Sequence, residues 1–197
     1  GLLTPRRLAK GVAVLLFGAV IFQTAWLAED AFVTFRTVDN FVHGYGLTWN
    51  VAERVQAYSN PLWMLLLIPF YWLSGEIYYT ATALSLAVSL AAVVAFIARF
   101  VVSGRVALLA ACVLVCSKAF TDYSTSGLEN PLTHLLLVVF YAVFLDRNRD
   151  PNAIWQLALL GALGAVNRLD AAVFFAPPLA YVLWNHWGRR AFRGFCV

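Results

Sequence analysis

Long apolar runs broken by short polar stretches dominate the chain. A helix needs about 20 mostly apolar residues to cross a ~30 Å hydrocarbon layer. Residues 8–28 and 78–102 reach that length, 106–120 is shorter and borderline once its flanks are added, and 132–145, 154–166 and 171–187 complete a set of six predicted spans. The run 62–73 is different. It is short, carries Pro69 near its end, and is rich in Trp63, Tyr71 and Trp72. Such aromatics favour the headgroup level, so this run reads as a helix lying along the membrane surface. Upstream, Ala31, Phe32, Phe35, Val38 and Val42 fall at helical spacing with one apolar face, and Gly44 and Gly46 follow as a stop signal. The segment 29–77 is therefore expected to be a loop holding two juxtamembrane helices, joined by the turn-rich stretch 43–60.

Charge decides the side on which that loop lies. With 62–73 kept from crossing, Arg6, Arg7, Lys10, Arg99, Arg105, Arg147, Arg149, Arg189, Arg190 and Arg193 fall on the cytoplasmic side, and only Arg36, Arg54, Lys118 and Arg168 fall outside. This obeys the positive-inside rule. If 62–73 crossed, Arg99, Arg105, Arg147 and Arg149 would move outside. The expected class is an all-α polytopic membrane protein, residues 1–197 forming one transmembrane module with loop 29–77 outside the cell.

Composition agrees. Of 197 residues, 62% are hydrophobic and 12% charged, the latter about half the ~25% of a soluble domain. Such a chain is not disordered, not a soluble globular domain, not a disulfide scaffold and not a nucleic-acid binder. The net charge of +4 bears on orientation more than on partners. Cys112 and Cys116 lie four apart and share a helix face, where they read as small packing residues within the bilayer. Cys196 stands near the end of the sequence. With no CxxC and no Cys/His cluster, no metal site is predicted. His43, His134 and His186 are isolated and read as packing or interfacial residues. The sequence opens on Gly1 and stops at Val197, where another apolar run is starting, which suggests the N-terminal portion of a longer protein. Residues 8–28 are too long for a removable signal peptide and lack its cleavage site.

Charged groups near a bilayer are costly and mark functional sites by default. Three clusters share the outer end: Glu29-Asp30 with Arg36; the string TDYSTSGLEN over 121–130, holding Asp122 and Glu129; and Asn167-Arg168-Leu169-Asp170. Each has a plainer reading. Asp30 stands at a helix N-cap position, Glu129 reads as a solvated loop carboxylate, Arg168 and Asp170 as a local ion pair, Arg36 and Arg54 as contacts to lipid phosphates, and Tyr58-Ser59-Asn60-Pro61 as a turn before a helix. Together they suit one chemistry. A carboxylate at the headgroup plane accepts a proton from an incoming hydroxyl, an effect of roughly 10²–10⁴-fold. A guanidinium matches the oxygens of a departing phosphate. This fits sugar transfer from a polyprenyl phosphate to an acceptor outside the cytoplasm. A lipid-linked substrate transporter would place its charges midway along its helices instead.

The strings Glu29-Asp30-Ala31-Phe32-Val33-Thr34-Phe35-Arg36, His43-Gly44-Tyr45-Gly46-Leu47-Thr48-Trp49-Asn50 and Glu53-Arg54-Val55-Gln56-Ala57-Tyr58-Ser59-Asn60-Pro61-Leu62-Trp63 resemble the first outer loop of GT-C membrane glycosyltransferases, which use polyprenyl-phosphate sugars. Ser126-Gly127-Leu128-Glu129 is similar to that group's second-loop motif, and Asn167-Arg168-Leu169-Asp170 to its Arg-Pro-Asp element. Within the group, the chain looks most like the arabinofuranosyltransferases of mycobacterial and corynebacterial cell walls. The resemblance implies a GT-C helical module in the plasma membrane, its active site on the extracytoplasmic side. The implied donor is decaprenyl-phosphoryl arabinofuranose and the implied acceptors are the arabinan ends of arabinogalactan and lipoarabinomannan; a GT-C mannosyltransferase acting on protein or lipid is the alternative. It maps the catalytic carboxylate to Asp30 with Glu29 beside it, the second acid to Glu129, and phosphate or sugar contacts to Arg168. Asp170, Arg36, Arg54, Tyr58 and Asn60 complete the expected substrate-binding set. Two departures stand out. Many relatives carry Asp-Asp where this chain has Glu29-Asp30, which leaves open which carboxylate acts, and Leu169 replaces the usual proline. Some GT-C enzymes need a divalent cation, and these residues do not decide that need.

Overall fold

The computed structural model describes residues 4–53, 55, 58–147 and 152–195, with side chains through residue 185. Arg54, Arg149, Asp150 and Cys196 lie outside the described residues, as do the side chains of His186, Arg189, Arg190 and Arg193. The described chain is helical and contains no strand. Its elements are α1 (Pro5–Gln23), α2 (Ala31–Val42), α3 (Pro61–Ser74), α4 (Ile77–Phe100), α5 (Gly104–Cys116), α6 (Lys118–Tyr123), α7 (Asn130–Asp146), α8 (Ala153–Asn167), a 3₁₀ turn (Leu169–Ala171) and α9 (Ala172–Phe195).

Several boundaries differ from expectation for identifiable reasons. The first apolar run leaves the helix at Gln23. Thr24 turns back on the Val20 carbonyl, and 24–28 becomes a strap whose Ala28 N–H donates to the Ser126 carbonyl at 2.9 Å. The run 106–120 is two helices, because Ser117 adopts an extended conformation and its hydroxyl accepts from Phe120 N–H to start α6. Cys112 and Cys116 face outward rather than packing inside. The close approach of α5 to α1 is taken by smaller residues: Ala107 and Ala111 are buried, and a Cβ on Gly104 would lie 2.6 Å from the Ala9 methyl.

Among the described residues, one helix, Ile77–Phe100, is long and apolar enough to cross a membrane, and Pro61–Ser74, Gly104–Cys116, Asn130–Asp146 and Ala153–Asn167 are apolar but shorter. The six apolar runs of the sequence thus become helices of unequal length, and α1 carries Arg6, Arg7 and Lys10 in its first turns.

α4 is the shared spine. Its C-terminal half packs with α1 and α5 through Phe17, Ile21, Val93, Ile97 and Ala107. Its N-terminal half joins α2 and α3 through Ala81, Phe35, Val38, Trp63 and Leu67. A third cluster, with Phe140, Leu157 and Phe175, ties α7, α8 and α9 together. α4 and α7 run side by side in the same direction: Ser89 of α4 donates to the Ser124 carbonyl just before α7 at 2.8 Å, and Arg99 pairs with Asp146 at their C-terminal ends. Lys10 at the start of α1 donates to the last carbonyls of α4, Ile97 at 3.0 Å and Val101 at 2.7 Å, where a cation suits a helix C-terminus. One end of the bundle therefore gathers basic residues. The other gathers the end of α1, the starts of α2, α3 and α7, and the end of α8.

α3 is held entirely at this second end. Asn60, which precedes it, bonds Glu129; Tyr71 in its last turn donates to Asp39 of α2. Gly75, at φ +69°, then turns the chain, and the Glu76 carboxylate caps α4 by accepting from Tyr78 and Tyr79 N–H.

Candidate functional site

A cavity of about 590 Å³ opens where these ends converge, lined among others by Asp30, Tyr58, Asn60, Tyr123, Glu129 and Arg168. Its size lies within the roughly 300–1,000 Å³ of small-molecule sites.

Asp30 occupies the N-cap position of α2, yet its side chain makes no capping bond, since its own backbone is already helical. The carboxylate is exposed, lines the cavity and has no side-chain partner among the described residues. Glu29 beside it is exposed and does not line the cavity. Glu129 reaches the opposite situation through Gly127, whose φ of +76° turns the loop inward ahead of α7. Only 9% exposed, Glu129 accepts from Asn60 Nδ2 at Oε2 (2.8 Å) and faces Arg168 Nη1 at Oε1 (3.4 Å). It is not the solvated loop acid of the plainer reading.

Arg168 ends α8 in an extended conformation. Its Nε donates to Asp170 Oδ1 at 2.7 Å and its Nη1 to Asn130 Oδ1 at 2.9 Å. The Asp170 hydrogen bond holds the guanidinium pKa above its ordinary value; burial opposes this and the charge of Glu129 adds to it. The same bond holds Asp170 below the usual carboxylate range. Arg168 is the one cation among the described residues lining the cavity. Behind it, Asn167 is fully buried and donates to the Glu129 carbonyl (3.0 Å) and to Thr133 Oγ1 (2.9 Å), lashing the end of α8 to the start of α7.

The structure thus brings Asp30, Glu129, Arg168, Tyr58 and Asn60 to one cavity, with Asp170 joined to it through Arg168. Asn60 is buried, and both ends of its amide are taken by protein: Thr34 Oγ1 donates to Oδ1 at 3.2 Å. Arg36 lies elsewhere. It donates to the Trp49 carbonyl (2.9 Å) and Asn50 Oδ1 (3.2 Å), with its guanidinium 4.7 Å from the centre of the Trp49 ring; it closes the loop after α2. Thr34, Tyr123, Asn130 and Asn167 were not singled out by sequence reasoning. They sit inside the quoted motifs, but no spacing rule distinguishes a hydroxyl or amide that lashes two helices from one that faces water.

Chemically, among the described residues the cavity offers an exposed carboxylate, Asp30, positioned to meet a hydroxyl, and a guanidinium, Arg168, fixed between two acids and an amide and able to meet an anion. Over 136 residues the chain is 32% identical to a terminal β-(1→2)-arabinofuranosyltransferase of Mycobacterium tuberculosis. The alignment covers 64% of this chain and 22% of that protein, so the chain spans about a fifth of the relative it matches. No solved structure matches it. Residues 57–196 match the family model of dolichyl-phosphate-mannose-protein mannosyltransferases, whose members are multi-pass membrane proteins, and the chain belongs to that family of GT-C glycosyltransferases.

Proposed function

We propose that this glycosyltransferase moves an arabinofuranosyl group from decaprenyl-phosphoryl arabinose to the arabinan chain ends of arabinogalactan and lipoarabinomannan. The observation that carries the reading is the pairing, in one cavity, of the unspent Asp30 carboxylate with the fixed guanidinium of Arg168. Asp30 takes the proton of the acceptor hydroxyl as its oxygen attacks the anomeric carbon. The bond from that carbon to the phosphate oxygen breaks, and the departing lipid phosphate gains its electron pair beside Arg168. Phosphate leaves readily, so no strong general acid is required. The name of the mycobacterial relative supports the pentose.

The description of the family supports a second reading, mannose transfer to protein, with the same catalytic parts. Competition between polyprenyl-phosphoryl arabinose and polyprenyl-phosphoryl mannose separates the two. In either case the catalytic end faces away from the cytoplasm, a reading supported by Arg6, Arg7, Lys10, Arg99, Arg105 and Arg147 at the other end. The direct test is Asp30→Ala and Asp30→Asn, each expected to lose about 10²-fold or more in transfer. Wild-type turnover in both would end the assignment.

A further inference from the structure

A buried polar chain crosses the site from α2 to α8. Thr34 Oγ1 donates to Asn60 Oδ1, Asn60 Nδ2 donates to Glu129 Oε2, and Glu129 Oε1 faces Arg168. Thr34 and Asn60 are each 4% exposed, so this chain is shielded from the water that bathes Asp30. Its direction matters. The Thr34 hydroxyl engages the carbonyl of Asn60 and so turns the amide nitrogen toward Glu129. One oxygen of Glu129 thus accepts from Asn60 while the other stands 3.4 Å from the Arg168 guanidinium. Charge-assisted bonds of this kind are short and directional, and a buried acceptor robbed of its donor is costly.

We propose that Asn60, oriented by Thr34, is a positioning residue: it holds Glu129 as the anchor of Arg168, and thereby leaves Asp30 as the carboxylate that takes the acceptor's proton. This deepens and rests on the sugar-transfer reading. It removes Asn60 from the substrate contacts and Glu129 from proton transfer. The acceptor O–H proton goes to Asp30, the glycosidic C–O bond forms as the bond to phosphate breaks, and the charge on the leaving phosphate is met by an arginine that Asn60 and Glu129 keep in place.

The test uses the full chain in proteoliposomes, with polyprenyl-phosphoryl arabinose and polyprenyl-phosphoryl mannose as donors and decaprenyl phosphate as the binding probe. Asn60→Asp sets two carboxylates against each other. Transfer and decaprenyl phosphate affinity are both expected to fall about tenfold or more. Adding Glu129→Gln to Asn60→Asp reverses donor and acceptor while keeping the net charge and an oxygen for Arg168. This pair is expected to recover transfer to within about threefold of wild type, a coupling of ordinary size for neighbours in contact. A double variant as inactive as Glu129→Ala would show that the Glu129 carboxylate is needed for more than its bond to Asn60, and would overturn the proposal. Wild-type kinetics in Asn60→Asp would do the same. Should Asn60→Asp fail to fold, Thr34→Ser and Thr34→Val serve instead: serine keeps the donor and wild-type behaviour, valine loses both, and equal kinetics in the two would sink the idea. Failure of the sugar-transfer reading is recognised separately, by wild-type turnover in Asp30→Asn; the decaprenyl phosphate arm still reports on the Asn60–Glu129–Arg168 chain.

Discussion

At the scale of single residues, Arg168 is the most constrained side chain of the cavity. Its Nε and Nη1 point at different partners, Asp170 on one side and Asn130 with Glu129 on the other. Lysine is a point charge without this fork and cannot span them. Arg168→Lys is therefore expected to lower transfer at least about tenfold and to weaken decaprenyl phosphate binding, while leaving the thermal unfolding temperature nearly unchanged. Tyr71 gives a prediction of a different kind. Its hydroxyl is pushed up to about 12 from 10.0, first by donating to Asp39, then by burial and by the charges of Asp39 and Glu76. A raised pKa favours the protonated form in the folded state. Its contribution is complete below about pH 10 and is lost as pH rises through about 12. Thermal unfolding in detergent should show that loss in wild type and a flatter profile over the same window in Tyr71→Phe. Tyr71→Phe itself is expected to cost about 1 kcal/mol at neutral pH, because Asp39 is half exposed and recovers water.

Among the elements, the loop between α6 and α7 departs furthest from its sequence. Ser124, Thr125 and Ser126 are fully buried, although a string reading TDYSTSGLEN looks like solvated loop. The all-helical character was legible, because apolar spacing and the Gly and Pro breaks mark helices directly, whereas the break at Ser117 that splits 106–120 into α5 and α6 was not. α2 starts at Ala31 and ends within a residue of the expected stop. The burial of 124–126 was not legible, since it depends on Ser89, 35 residues upstream, donating to the Ser124 carbonyl. Likewise Asp30 and Glu129 were readable as acids at one end, but the buried setting of Glu129 depends on Asn60 arriving from the start of α3, held there by Thr34 of α2. Gly127 carries the turn that makes this possible. At φ +76°, a Cβ there would lie 2.8 Å from Leu27, 2.9 Å from Phe35 and 3.0 Å from the Ala31 methyl, while Trp63 Nε1 donates to its carbonyl at 2.8 Å. Gly127→Ala is expected to destabilise by about 2–4 kcal/mol, summing left-handed strain with overpacking. Gly44→Ala, at a comparable φ of +83° but with open space around it, should cost only the strain, about 1–2 kcal/mol. Thermal or urea unfolding of the two variants separates the contributions.

For the molecule as a whole, the two ends differ in charge, and that difference can be measured. In a background of Cys112→Ser, Cys116→Ser and Cys196→Ser, which removes the three cysteines of this sequence, the single variants Asn50→Cys and Arg105→Cys should react from opposite faces of a sealed vesicle with a membrane-impermeant maleimide. Labelling of both from the same face would contradict the orientation, whatever the catalytic residues do. The strap between α1 and α2 has one more effect at this scale. Ala28 N–H bonds the Ser126 carbonyl and Trp26 Nε1 bonds the Asp122 carbonyl at 3.0 Å, so the peptide carrying Asp30 is stitched to the peptide carrying Glu129, main chain to main chain at one of the two points. The spacing of the two acids is thereby set by backbone rather than by the cavity walls. Exchange of wall side chains such as Tyr123 or Leu128 is therefore expected to reshape the cavity while Asp30 and Glu129 keep their separation.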